Sequence, residues 1–250
     1  MLSTENLEEF INRYQTSREN VAREYFQHLF LSYLYQLPGS ERLLFKGGTA
    51  LRIVFRSPRF SEDLDFTGAN ITQYEVENLF TDALASIEKS AIPVELEEGK
   101  NTTGGYLGII KFSGYGMKTD IQIEVSLRNG KGLKGERQVI ESDYLPPYSL
   151  VHLLKEEIVT GKMQALLNRH KPRDFYDYFY LLSGNYPLAK EKENLGKVLK
   201  LLKETKINFR GELREFLPAS HAMHLRNFRK ILEDKIKSFL DDIYCCRALF

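Results

Sequence analysis

Cysteine is nearly absent: the two copies, Cys245 and Cys246, are adjacent near the C-terminus. That spacing suits neither a loop-closing disulfide nor a zinc site, so both are expected as small buried residues. Charge of one sign is also missing, because 35 Lys and Arg face 34 Asp and Glu for a net charge of +1. A protein that coats nucleic acid over a broad surface is thereby excluded, while a local basic patch is not. No run approaches the roughly 18 apolar residues that span a bilayer. The opening MLSTENLEEF is polar and acidic where a secretory leader is basic and then apolar. The expectation is a cytoplasmic protein with no membrane partner. No internal repeat or low-complexity tract is visible, and no histidine-rich ligand cluster accompanies the acids.

What is present is an ordinary globular balance, 42% hydrophobic and 28% charged over 250 residues. That length suits one core with a smaller companion, or two modest domains. Residues 5–37 read as two helices, the second apolar on most faces and closed by Pro38 and Gly39. Arg42 to Phe45 is a short apolar run entering Lys46, Gly47, Gly48 and Thr49, followed by the helix-forming ALRIVF: strand, glycine turn, helix. Phe60 to Thr67 alternates as a half-buried strand, with Leu64 and Phe66 on one side and Asp63, Asp65 and Thr67 on the other. A helix over roughly 72–90 precedes three strands, Ile92 to Glu97, Tyr106 to Phe112 and Thr119 to Leu127, spaced as an antiparallel meander. After Pro146 and Pro147 the pattern reads as helical to the end, which predicts a core over 1–147 and a helical domain over 148–250.

Asp63 and Asp65, two apart on one strand face, stand roughly 6 to 7 Å apart at the backbone. Carboxylates that close repel unless a cation lies between them, and Mg²⁺ takes one or two carboxylates together with substrate phosphates. A bare DxD is more often a solvated strand face. The preceding Gly47 and Gly48 change the balance, because the strand, glycine turn and helix start would offer backbone N–H groups to a phosphate beside the metal. The arrangement predicts a third acid on a neighbouring strand. Glu124 fits, on the polar face of a strand whose other face is Ile121, Ile123, Val125 and Leu127; Asp120, at the strand entrance, is the weaker choice. Three acids about metal ions suit in-line displacement at phosphorus.

FKGGTALRIVF followed by RFSEDLDFT, with EEIVTGKMQALLNRHKPRDFYDYFYLL later, resembles the AbiEii toxin family of type IV toxin–antitoxin and abortive-infection systems. That family lies within the DNA polymerase beta-like nucleotidyltransferase superfamily. The resemblance spans roughly 41–182, with IQIEVS where the superfamily's third acid falls. It implies an α+β mixed-sheet core with a C-terminal helical domain and an active site in the cleft between them. It also implies nucleotide binding by Gly47, Gly48 and Thr49, metal binding by Asp63 and Asp65, and essential roles for Lys162 and Asp177. Leu150, Leu154, Ile158 and Leu166 trace one helix face in which Lys162 fills the missing position. A buried lysine there calls for a negative partner, either nucleotide phosphates or a carboxylate from the next helix, where Asp174 and Asp177 share a face.

The reading is transfer of NMP from an NTP, with Mg²⁺ as cofactor, to an acceptor hydroxyl: an RNA end, first of all that of tRNA, or a protein hydroxyl. Arg56, Arg59, Arg169, Lys171 and Arg173 are the candidate RNA contacts, and a cognate antitoxin is an expected partner. The rivals are a nucleotide- or antitoxin-binding module without turnover and a metal-dependent phosphohydrolase.

Overall fold

The computed structural model describes residues 4–114, 116–127 and 132–247. The chain divides into two compact units, 1–154 and 155–250.

The first unit opens with α1 (Thr4–Tyr14) and α2 (Arg18–Leu34), the latter started by Ser17, whose hydroxyl accepts from the Asn20 N–H. Both ends of the apolar α2 face protein: Val21, Phe26, Phe30 and Leu34 are all buried. Then come β1 (Leu43–Lys46), α3 (Gly47–Ile53), β2 (Leu64–Gly68) and α4 (Gln73–Glu88). Thr72 and Glu75 cap α4 reciprocally. The meander follows as β3 (Val94–Thr102), β4 (Gly105–Gly114) and β5 (Met117–Ser126). Two further strands, β6 (Gly135–Ile140) and β7 (Tyr148–Leu153), complete a seven-stranded sheet in the order β3-β4-β5-β2-β1-β7-β6. The sheet is mixed, as expected: β1 runs antiparallel to β2 and parallel to β7, and β2 runs parallel to β5. Its core joins α1, α2 and α4 to Phe45, Phe66, Phe112, Ile121, Ile123 and Val125.

Three local expectations are corrected. Residues 148–153 are strand rather than helix, because YSLVHL is a short apolar run held between β1 and β6, and such a run has no period that separates strand from helix. The Tyr35 hydroxyl, against the carbonyls of Leu43 and Val151, ties β7 to β1. The unit therefore closes after Leu154, not at the proline pair. The meander's first strand begins at Val94, beyond Pro93, which has no N–H to give. The DxD strand begins at Leu64, so Asp63 precedes it. Its run-up is irregular because side chains claim the backbone carbonyls: Arg59 bonds Phe60 O, Gln27 bonds Ser61 O and Glu62 O at 3.0 Å each, and Thr49 bonds Asp63 O.

The second unit is helical: α5 (Lys155–Arg169), α6 (Pro172–Ser183), α7 (Lys192–Glu204), α8 (Phe209–Leu213), α9 (Ala219–Ala222) and α10 (Phe228–Arg247). Phe209 and Phe228 meet edge to face at 5.0 Å, with Phe175 and Tyr176 against them. Cys245 and Cys246 lie on α10, and their side chains fall outside the described residues. No helix among the described residues is long and apolar enough to cross a membrane.

Candidate active site

Sheet register builds the site. Lys46 pairs with Asp65 across β1 and β2, and Asp65 pairs with Glu124 across β2 and β5. Residues directly opposite one another point to the same face about 4.8 Å apart, so Lys46, Asp65 and Glu124 form one row across three strands. The alternate residues Phe45, Phe66, Ile123 and Val125 are buried in the core on the other face. Asp120, the weaker third acid, pairs with Lys111 and lies further back along β5, away from Asp65. Asp63 lies just before β2, outside the row's register, in the irregular segment that Gln27 and Thr49 hold.

The glycine turn is shaped by these acids. Gly47 has φ +84°, and a β-carbon there would stand 2.0 Å from Asp65 Oδ2. At Gly48 it would meet Ser61 Oγ at 2.6 Å and Arg59 Nη2 at 2.8 Å. Both glycines thus admit the acid-bearing segment onto the start of α3. The Thr49 side chain is fully buried with its hydroxyl on the Asp63 carbonyl, so it positions the acid-bearing segment. Arg59 is corrected: it is buried, bonded to the Phe60 carbonyl at 3.0 Å, and cannot serve as a surface contact for RNA. Arg56 is exposed, at φ 63° beyond α3.

Lys46 is the residue that sequence reasoning passed over. It is half-buried and its side chain makes no ion pair or hydrogen bond among the described residues. Burial lowers its pKa, and the charges of Asp65 and Glu124 act in the opposite direction. A lone lysine before two glycines has no period, and only the strand order shows what it faces.

Asp63, Asp65 and Glu124 present hard carboxylate oxygens, the chemistry Mg²⁺ takes, and Gly47 leaves room for one of them. Among the described residues no three His, Cys, Asp or Glu side chains gather as a ready-made metal cage.

In the second unit Lys162 on α5 bonds Asp177 Oδ2 on α6 at 2.8 Å, with only 12% and 2% of the two side chains exposed. Of the two partners the stripe left open, the carboxylate is the one observed. The stripe itself is shorter than expected: Ile158 and Leu166 flank Lys162 on α5, but Leu150 belongs to β7 and Leu154 is exposed. Asp174 is buried, accepting from Arg169 at 2.6 Å and from the Lys171 N–H at 3.2 Å, a helix-start role. Arg173 lies 3.6 Å from Glu212.

A cavity of about 410 Å³ lies at the other end of α3, lined by Tyr14, Glu24, His28, Arg52 and Tyr144 among others. Glu24 pairs with Arg52 at 2.6 Å and accepts from Tyr144 at 2.8 Å. His28 Nδ1 lies 2.8 Å from the Tyr148 hydroxyl, and burial lowers its pKa to about 4.

A mixed sheet that sets an acid row beside a glycine turn, followed by helices, is a nucleotidyltransferase fold. Solved structures agree. MenT4, the nucleotidyltransferase toxin Rv2826c of Mycobacterium tuberculosis, superposes with a TM-score of 0.62 at 18% identity, covering 97% of this chain and 90% of its own. JHP933 of Helicobacter pylori gives 0.55 at 20% identity over 93% and 99%, and a putative nucleotidyltransferase of the same organism 0.54 at 19% over 89% and 98%. The chain belongs to the nucleotidyl transferase AbiEii toxins of type IV toxin–antitoxin systems, whose family pattern matches residues 29–244. No curated protein sequence matches it.

Proposed function

We propose that the chain moves NMP from an NTP to an acceptor hydroxyl at an RNA 3′ end, that of tRNA first of all, as a cytoplasmic toxin restrained by a cognate antitoxin. The observation that carries this reading is the register that aligns Asp65 with Glu124. The acceptor oxygen attacks the α-phosphorus, its proton leaves, and the bond to the departing pyrophosphate breaks. Bound Mg²⁺ would supply charge neutralisation at the phosphates and activation of the hydroxyl. Asp63 and Asp65 are its assigned ligands. Glu124 completes the row as ligand or as the base that takes the hydroxyl proton, and the pH profile of Glu124→Gln separates the two roles. Gly47 and Gly48 are assigned to the nucleotide side of the row, and Lys162 and Asp177 keep the essential roles that the family resemblance gives them. Net charge near zero favours an enzyme that grips one RNA terminus over one that tracks a duplex.

The test is to incubate purified protein with Mg²⁺, total RNA and each labelled NTP in turn. A tRNA-sized band labelled by one preferred nucleotide is expected, fading as salt rises. Asp63→Asn or Asp65→Asn should lower labelling by at least about 100-fold while leaving the chain folded. A variant that keeps full turnover removes the metal assignment. Label on protein alone replaces RNA with a protein acceptor. NTP binding without label makes the chain a binding module.

A further inference from the structure

We infer that Lys46 is the resident counter-cation of the acid row: it offsets Asp65 and Glu124 before any metal arrives, and so selects a metal that comes with nucleotide phosphates over a bare one. The inference rests on the proposed reading of the row as metal-binding.

Three observations converge. Lys46 is the register partner of Asp65, itself the register partner of Glu124, so the row carries one positive and two negative charges in fixed order. The order cannot relax. Lys46 is the last residue of β1, and the next residue, Gly47, has the Asp65 carboxylate lodged where its side chain would be, 2.0 Å from a built β-carbon. Finally, Lys46 is half-buried and within electrostatic reach of both acids, yet no carboxylate bonds it among the described residues. A solvated surface lysine would not be half-buried, and a structural ion pair would be closed as Lys162 and Asp177 are.

The consequence follows from charge alone. A bare divalent ion entering the row meets the ammonium and is repelled by it. The same ion carrying a triphosphate brings net negative charge, and Lys46 then attracts the complex. Removing a unit charge about 6 Å from a divalent ion in a watery site changes its binding about tenfold.

Mn²⁺ is the probe, titrated by paramagnetic resonance without nucleotide into wild type, Lys46→Met and Lys46→Arg, each checked for folding by its thermal transition. Lys46→Met should bind Mn²⁺ about tenfold more tightly than wild type, and the gap should narrow as salt rises. Lys46→Arg, which keeps the charge, should bind as wild type does. With inorganic tripolyphosphate present, a probe blind to base preference, the order should reverse. Lys46→Gln serves in place of the Met variant if the latter does not fold. Unchanged or weaker Mn²⁺ binding in the folded, uncharged variant overturns the inference while leaving the metal reading intact. Should wild type and variants all bind no Mn²⁺, or Asp65→Asn leave binding unaltered, the metal reading falls and takes the inference with it.

Discussion

The two units hold charge in opposite ways. In the first, the register of β1, β2 and β5 sets two acids in a row with a lysine that stays out of bonding distance. In the second, Lys162 and Asp177 are already joined at 2.8 Å in an almost fully buried pair. The first arrangement holds Lys46 near two acids without joining it to either, whereas the second closes its lysine onto an aspartate. An ion pair of that kind contributes little net stability over an apolar pair, yet it makes either partner hard to remove alone. The second unit thus keeps one lysine and one aspartate in fixed positions, whereas in the first the register alone fixes how Lys46 faces Asp65.

The largest effect expected from breaking this contrast is at Gly47. An alanine there must adopt φ +84° and displace the Asp65 carboxylate, so Gly47→Ala should cost about 4 kcal/mol of strain and overpacking together, read as a lowered denaturation midpoint. Restored stability in Gly47→Ala with Asp65→Gly would trace the clash to that carboxylate. Next comes Lys162→Met, which takes the ammonium away from the buried Asp177 carboxylate and should cost about 3 kcal/mol, much of it recovered when Asp177→Asn is added. Equal stability of the single and double variants would mean that the pair is not the closed unit described.

Acid sharpens the comparison further, because His28 belongs to the first unit. Its folded pKa of about 4 lies below the usual value near 6.5, so the unfolded chain binds the extra proton between those limits. Stability is therefore fully present above pH 6.5 and is lost as pH falls toward 4, by on the order of 2 to 3 kcal/mol. Amide exchange in α2 and its neighbours should accelerate over that window. His28→Gln should flatten the dependence, and an unflattened curve assigns the loss to other groups.

How much of this was readable depended on periodicity. The meander, the glycine turn and the DxD strand each repeat or punctuate on a local scale, and all three appeared at nearly their expected positions. β7 escaped because a short, mostly apolar strand held between two others has no alternating face, and β6 because an exposed edge strand such as GERQVI has none either. Gln27 gave no signal, since a polar residue in an otherwise apolar helix reads as surface; here it is buried and grips two carbonyls of the acid-bearing segment. Lys46 was invisible for a different reason. Its partners are fixed by strand order, and no short window of sequence contains β1, β2 and β5 together.

That separation bears on when the acid row is assembled during the chain's own synthesis. β2 leaves the ribosome early, but Glu124 sits on β5, several seconds later at bacterial elongation rates of roughly 5 to 20 residues per second. Until β5 slots in beside β2, the chain has a glycine turn and two aspartates without the opposing acid. β5 can dock in only one register, because a slip of one residue would turn Ile121, Ile123 and Val125 out of the core. The row of Lys46, Asp65 and Glu124 is therefore complete only after the sheet has closed.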